Sequence, residues 1–107
     1  MHDIYYEDLE TDWPAINVDA FLLDIHNLIR PGGIFGVIDH TAIAGTEAAV
    51  VGKSLHRIDP AIIIRDLQTA GFTLIDAADI LKNPADDLTK LVFLPELRWQ
   101  SDRSVLL

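Results

Sequence analysis

Two adjacent residues open the chemistry of this chain. Asp39 and His40 directly follow the apolar run Ile34-Phe35-Gly36-Val37-Ile38. An imidazole titrates near neutral pH and can take a proton from a reacting group. A carboxylate beside it can hold the ring or bind a substrate group. The run reads as a strand buried on both faces, as in a parallel sheet. Open α/β sheets place their ligands at the carboxyl ends of such strands. Asp39 and His40 are therefore catalytic candidates. His56 lies just before Asp59-Pro60 and can reach the same rim, which makes it the third; His56-Arg57 also reads as a solvated pair. Asn83, Asp86 and Asp87 read as a turn, with a lid as the alternative. His26 sits within a helical pattern and reads as structural or exposed. No His/Asp/Glu group has the sequence spacing of a zinc helix, so no metal site is expected. No Gly-x-Ser-x-Gly nucleophile motif occurs.

The elements that must position these residues follow from caps and periodicity. Residues 1–16 are polar and aromatic and read as a loop with a short turn. Asn17 is an N-cap, and Asp19 lies where acids favour the helix dipole. Phe21, Leu22, Ile25, Leu28 and Ile29 repeat at helical spacing, which predicts a helix over 18–30. Pro31 ends it, and Gly32-Gly33 reverse the chain into the strand over 34–38. Residues 41–58 suit a loop with a short helix near 47–51. Asp59-Pro60 starts the next helix, whose buried face is Ile62, Ile63, Leu67 and Ala70, and Gly71 caps its end. Residues 72–77 read as a second strand. A polar stretch over 79–90 carries the turn signal Asn83-Pro84. Residues 91–101 match neither period, and Ser104–Leu107 begins a third strand. The order of helices and strands is that of an α/β domain.

Composition narrows the function classes. A chain of 107 residues holds one domain. Half of it is hydrophobic, which argues against disorder. Seventeen acidic residues against eight basic ones give a formal charge of −9. No basic stripe stands out, so no nucleic-acid partner is expected. No apolar stretch approaches the ~20 residues of a membrane span, and Met1-His2-Asp3 is not the start of a signal peptide. A cytoplasmic protein without a membrane partner is the expectation. The absence of cysteine removes thiol chemistry and disulfides.

The ordered set of signals resembles the second half of a class I S-adenosylmethionine-dependent methyltransferase. "LIRPGGIFGVIDH" resembles the helix end and fifth strand of that family, and "GFTLIDA" resembles the sixth. "RSVLL" resembles the seventh, which runs antiparallel between the fifth and sixth. "LHRIDP" and "NPADD" resemble one bacterial subgroup of methyltransferases. The resemblance implies a partial Rossmann-like three-layer sandwich over residues 1–107. It also implies that His2 and Asp3, matching the segment after the fourth strand, line the cofactor pocket, although they lie at a terminus expected to fray.

The family's glycine-rich loop after the first strand and its acidic residue ending the second have no counterpart here. Gly32, Gly33 and Gly36 follow a helix and precede a strand. That is the reverse of a nucleotide-binding loop, so they read as turn and packing residues. The chain thus reads as a carboxyl-terminal fragment that acts on a small-molecule methyl acceptor when intact. Alone, it is expected to bind no S-adenosylmethionine and to be inactive. The alternative is a binding or assembly module that completes its sheet as a homodimer through the strand edge over 34–38.

Overall fold

Asn17 starts the first helix as its side chain allows, accepting a hydrogen bond from Ala20 N–H at 3.0 Å. The computed structural model describes all residues, 1–107. In order it contains α1 (Val18–Leu28), β1 (Val37–His40), α2 (Ala48–Leu55), α3 (Pro60–Thr69), β2 (Ala77–Ala78) and β3 (Arg103–Leu106). Two 3-10 turns, His2–Ile4 and Leu9–Thr11, precede them. Asp59 caps α3 through Ala61 N–H at 2.9 Å, with Pro60 in the first turn. Beyond its end, Gly71 takes a positive φ of 109°.

The sheet has the order β1-β3-β2. The last strand lies between the other two and runs antiparallel to both, pairing Val37 with Leu106 on one side and Ala77 with Leu106 on the other. β1 and β2 therefore share a direction. Val37, Leu106, Ile58 and Ile63 form the core, with Tyr5, Phe35 and Leu67 packed against it. α1 packs on α3 and fully buries Leu22.

Four expectations are corrected. The first strand covers 37–40 rather than 34–38, and only one of its faces is buried: Val37 is 4% exposed and Ile38 59%. An uninterrupted apolar run cannot distinguish two buried faces from one. The second strand covers two residues; between 72 and 76 the chain bonds Leu107, just past β3, through Ile75 and Asp76 N–H to its carbonyl and through its N–H to the Asp76 carbonyl. The short helix expected near 47–51 extends to Leu55. The predicted helix over 18–30 stops at Leu28, which is 85% exposed rather than buried.

Arg57 reverses the expectation of a solvated pair. It is completely buried. Its Nε donates to the Lys90 carbonyl at 2.8 Å and Nη1 to the Thr41 carbonyl at 2.9 Å. Both terminal nitrogens face the Asp86 carboxylate at 2.9 Å. Asp86 also accepts from the backbone N–H of Leu88 and of Asp102. Asp102 in turn accepts from Asn83 N–H and Lys82 Nζ. This network fixes the long loop over 79–102, which has no regular structure of its own. Removing one partner of a buried pair leaves the other charge uncompensated, at about 3–5 kcal/mol. Asp86→Ala is expected to lower the urea-unfolding free energy by that amount; a loss under about 1 kcal/mol would show that the loop is held by other contacts.

Candidate functional site

Five side chains from three parts of the chain meet at the carboxyl end of β1. Their positions rest on α2. Gly52, one turn before the end of that helix, faces the amino-terminal turn. A Cβ there would lie 3.1 Å from the Tyr6 ring and 3.3 Å from the His2 carbonyl. A glycine within a helix costs about 1 kcal/mol relative to alanine; here it lets the turn His2–Ile4 approach α2. The helix ends at His56 in a left-handed conformation, φ 53° and ψ 47°, with its N–H bonded to the Gly52 carbonyl.

His2 occupies the centre and is buried. Its Nδ1 lies 2.8 Å from Asp39 Oδ1. Its backbone N–H donates to Asp39 Oδ2 at 2.6 Å. On the far side of the ring, Nε2 lies 3.1 Å from His56 Nδ1 and 3.2 Å from Asp3 Oδ1. His40 stands beside this group, its ring centroid 6.4 Å from that of His2. Its Nδ1 is 2.7 Å from Ser101 Oγ, and its backbone N–H donates to Asp39 Oδ1 at 2.7 Å. His2, Asp3, Asp39 and His40 border a cleft of about 660 Å³ that Phe93, Trp99 and Arg103 also line. Phe93 also packs on His56, with ring centroids 4.7 Å apart.

All five residues singled out in the sequence, His2, Asp3, Asp39, His40 and His56, thus come together. His2 is packed rather than frayed. Ser101, Trp99, Phe93 and Arg103 were not anticipated, because they fall in or next to the segment over 91–101 that follows no period. The one local signal of the His2–His56 approach is Gly52 in an otherwise helical stretch. Asn83 lies away from the cleft and donates to the Gln100 carbonyl. Asp86 belongs to the Arg57 network.

The electrostatics separate the roles. Burial pushes the Asp39 carboxyl up, but hydrogen bonds from His2 and from the terminal amine of Met1 outweigh it and hold the group well below the usual carboxylate range. Asp39 is therefore a fixed anion that orients His2. Burial pushes the His40 imidazole down. Asp39 opposes this, while His2, Arg103 and Arg57 add to it, and the net direction is below the ordinary histidine value. A neutral imidazole facing a cleft at neutral pH is in the form a general base requires. Comparison with protein-family models, with curated proteins and with solved structures finds no match.

A histidine whose folded value is lowered gives its full stabilisation above the unfolded value of about 6.5 and loses it as pH falls through the folded value. Stability is therefore expected to rise from pH 5 to 7. In an NMR titration the His40 ring should have its midpoint below that of a free histidine; a midpoint at or above it would mean that the ring is solvated.

Proposed function

We propose that this chain forms the acceptor side of a class I S-adenosylmethionine-dependent methyltransferase domain. The observation that carries the reading is the sheet order: a final strand inserted antiparallel between two strands that run the same way. That is the order expected of strands five, seven and six in a Rossmann-like half. The convergence of Asp39, His40 and His56 at the carboxyl end of β1 supports it, because this is where an open α/β sheet binds its ligands.

In this reading the acceptor is a small molecule held in the cleft between His40 and Trp99. His40, neutral and oriented by Ser101, takes the proton of an acceptor hydroxyl or amine as the methyl group is transferred. Asp39 keeps the local hydrogen bonds in place without changing its own charge. His2 and Asp3 lie where the methyl donor meets the acceptor. The phosphate-type glycine loop is not among these elements: Gly32 takes a positive φ of 78° in a turn closed by Gly33 N–H to the Arg30 carbonyl, and a Cβ on Gly33 would clash with Ile29 and Arg30.

A second reading is favoured by the outer edge of β1. Its only ladder is with β3. At its carboxyl end the His40 carbonyl accepts from Ile58 N–H, and Ala42 N–H donates back to the Ile58 carbonyl. This bridge leaves the stretch from Ile34 to Ile38 open, with both isoleucines more than half exposed. A module that completes its sheet with a second copy would use that stretch.

Two measurements separate the readings. Calorimetry on the chain alone should give a dissociation constant for S-adenosylmethionine weaker than about 10 μM. A form extended upstream to include a glycine-rich strand–loop–helix should bind more tightly and transfer methyl groups. In that form His40→Ala should reduce turnover by about 10²- to 10⁴-fold with a folding loss near 1 kcal/mol. Unchanged turnover would reject the base role of His40. For the second reading, light scattering should show a dimer that Ile38→Lys disperses, whereas a single 11.9 kDa species would reject it. Val37 is unsuitable for that test because it lies in the core.

A further inference from the structure

We infer that His2, Asp3 and His56 form a binding site for one divalent transition-metal ion of the zinc type. Three potential ligand atoms converge: His2 Nε2, His56 Nδ1 and Asp3 Oδ1 all lie within 4.8 Å of one another. The two shortest separations, 3.1 and 3.2 Å, are close to the edge of a tetrahedron around a metal. Bonds of about 2.0–2.1 Å to nitrogen and oxygen imply edges of roughly 3.4 Å. Small rotations of the two imidazoles supply the difference.

The tautomer of His2 is set from behind. The Asp39 carboxylate accepts a hydrogen bond from Nδ1–H at 2.8 Å, so Nε2 presents a lone pair to His56 and Asp3. A carboxylate bonded to the remote nitrogen of a ligating histidine is the usual outer support of a metal site, and it raises the basicity of the ligand. Here that support is itself buried and fixed by the backbone N–H groups of His2 and His40. Two imidazoles and one carboxylate suit a borderline cation. Calcium and magnesium prefer all-oxygen sets. Asp3 borders the cleft, which leaves the metal's remaining positions open toward solvent or a bound oxygen.

His56 adds an independent sign. It adopts left-handed backbone at a helix end, where glycine or asparagine is the common choice. The histidine there delivers Nδ1 to His2 at 3.1 Å. The competing occupant of the site is a proton on His56 Nδ1, which would bridge the two rings at the same 3.1 Å.

The inference does not rest on methyl transfer, and its test does not read it. The untagged full chain is stripped with a chelator and titrated with Zn²⁺ against a chromophoric competitor. One ion per chain is expected, with a dissociation constant of about 1 μM or tighter. His56→Asn keeps the left-handed backbone and removes the ring; it should weaken binding at least about 100-fold while the metal-free melting temperature is little changed. Asp39→Asn should weaken it by about 10- to 100-fold. His26→Asn, on α1, should leave it unchanged. On the unaltered chain, zinc should move the ring signals of His2 and His56 in NMR and leave those of His26 in place. Absence of 1:1 saturation, equal binding by His56→Asn, or zinc shifts centred on His26 would overturn the inference and leave a proton as the bridge.

Discussion

The buried guanidinium of Arg57 is the constraint from which the two halves of the site take their positions. Its neighbours in sequence have opposite tasks: His56 turns toward the His2 ring, and Ile58 enters the core and bonds the end of β1. With Arg57 locked on Asp86, Thr41 and Lys90, neither neighbour can rotate without breaking three hydrogen bonds in a dry environment. Asp86 carries the same constraint to the other rim. Through Asp102 N–H it holds the start of β3, and so places Ser101 against His40 and Arg103 in the cleft wall. A loop of more than twenty residues without helix or strand is thereby as fixed as an element. Its order comes from charge pairing together with the buried side chains of Val92 and Leu97.

Asp39 has the corresponding task on the amino-terminal side. Its two oxygens accept from His2 twice, from His40 N–H and from the Met1 amine. A carboxylate with this many donors stays ionised without needing solvent. It therefore serves as the fixed negative end of a chain of imidazoles, from His2 to His56. The protein carries a formal charge of −9; at this site Asp39 is the buried carboxylate against which the His2 ring and the His40 backbone are set.

What was legible in the sequence was local. Asn17, Asp59-Pro60 and Gly71 announce helix ends because a cap is a contact between residues two or three apart. The alternation of strand order, the last strand in the middle, was legible only through a family resemblance, since strand pairing is non-local. The apolar run over 34–38 carried no information about faces: Val37 and Ile38 are equally hydrophobic, yet one lies in the core and the other faces outward. Arg57 was unreadable for a related reason. A charged residue is assigned to solvent unless its partner is known, and Asp86 is 29 residues away. The candidates at the site were found by residue type, but their mutual contacts were not. His2 and His56 are separated by 54 positions, a distance at which spacing rules for metal ligands do not apply.

Positions 56 and 57 break two separate folding rules in succession. A left-handed non-glycine residue at a helix end destabilises the fold relative to asparagine or glycine, and a buried Arg57–Asp86 pair does so relative to a well-packed apolar pair of the same volume. Such departures persist where the surroundings over-determine them, and they collect at functional sites. Asp12, Leu88 and Trp99 share the left-handed backbone of His56, and α3 supplies the contrast. α3 begins with an ordinary cap, buries Ile63 and ends before a glycine with positive φ, with every local preference in agreement. Nothing about the core requires a histidine at 56, since Ile58 and Ile63 would pack as well behind asparagine. The residue that gains from this backbone is His2, whose Nε2 would otherwise face only the Asp3 carboxylate. The left-handed turn at 56, with Arg57 locked behind it, holds an imidazole against a second imidazole that Asp39 orients.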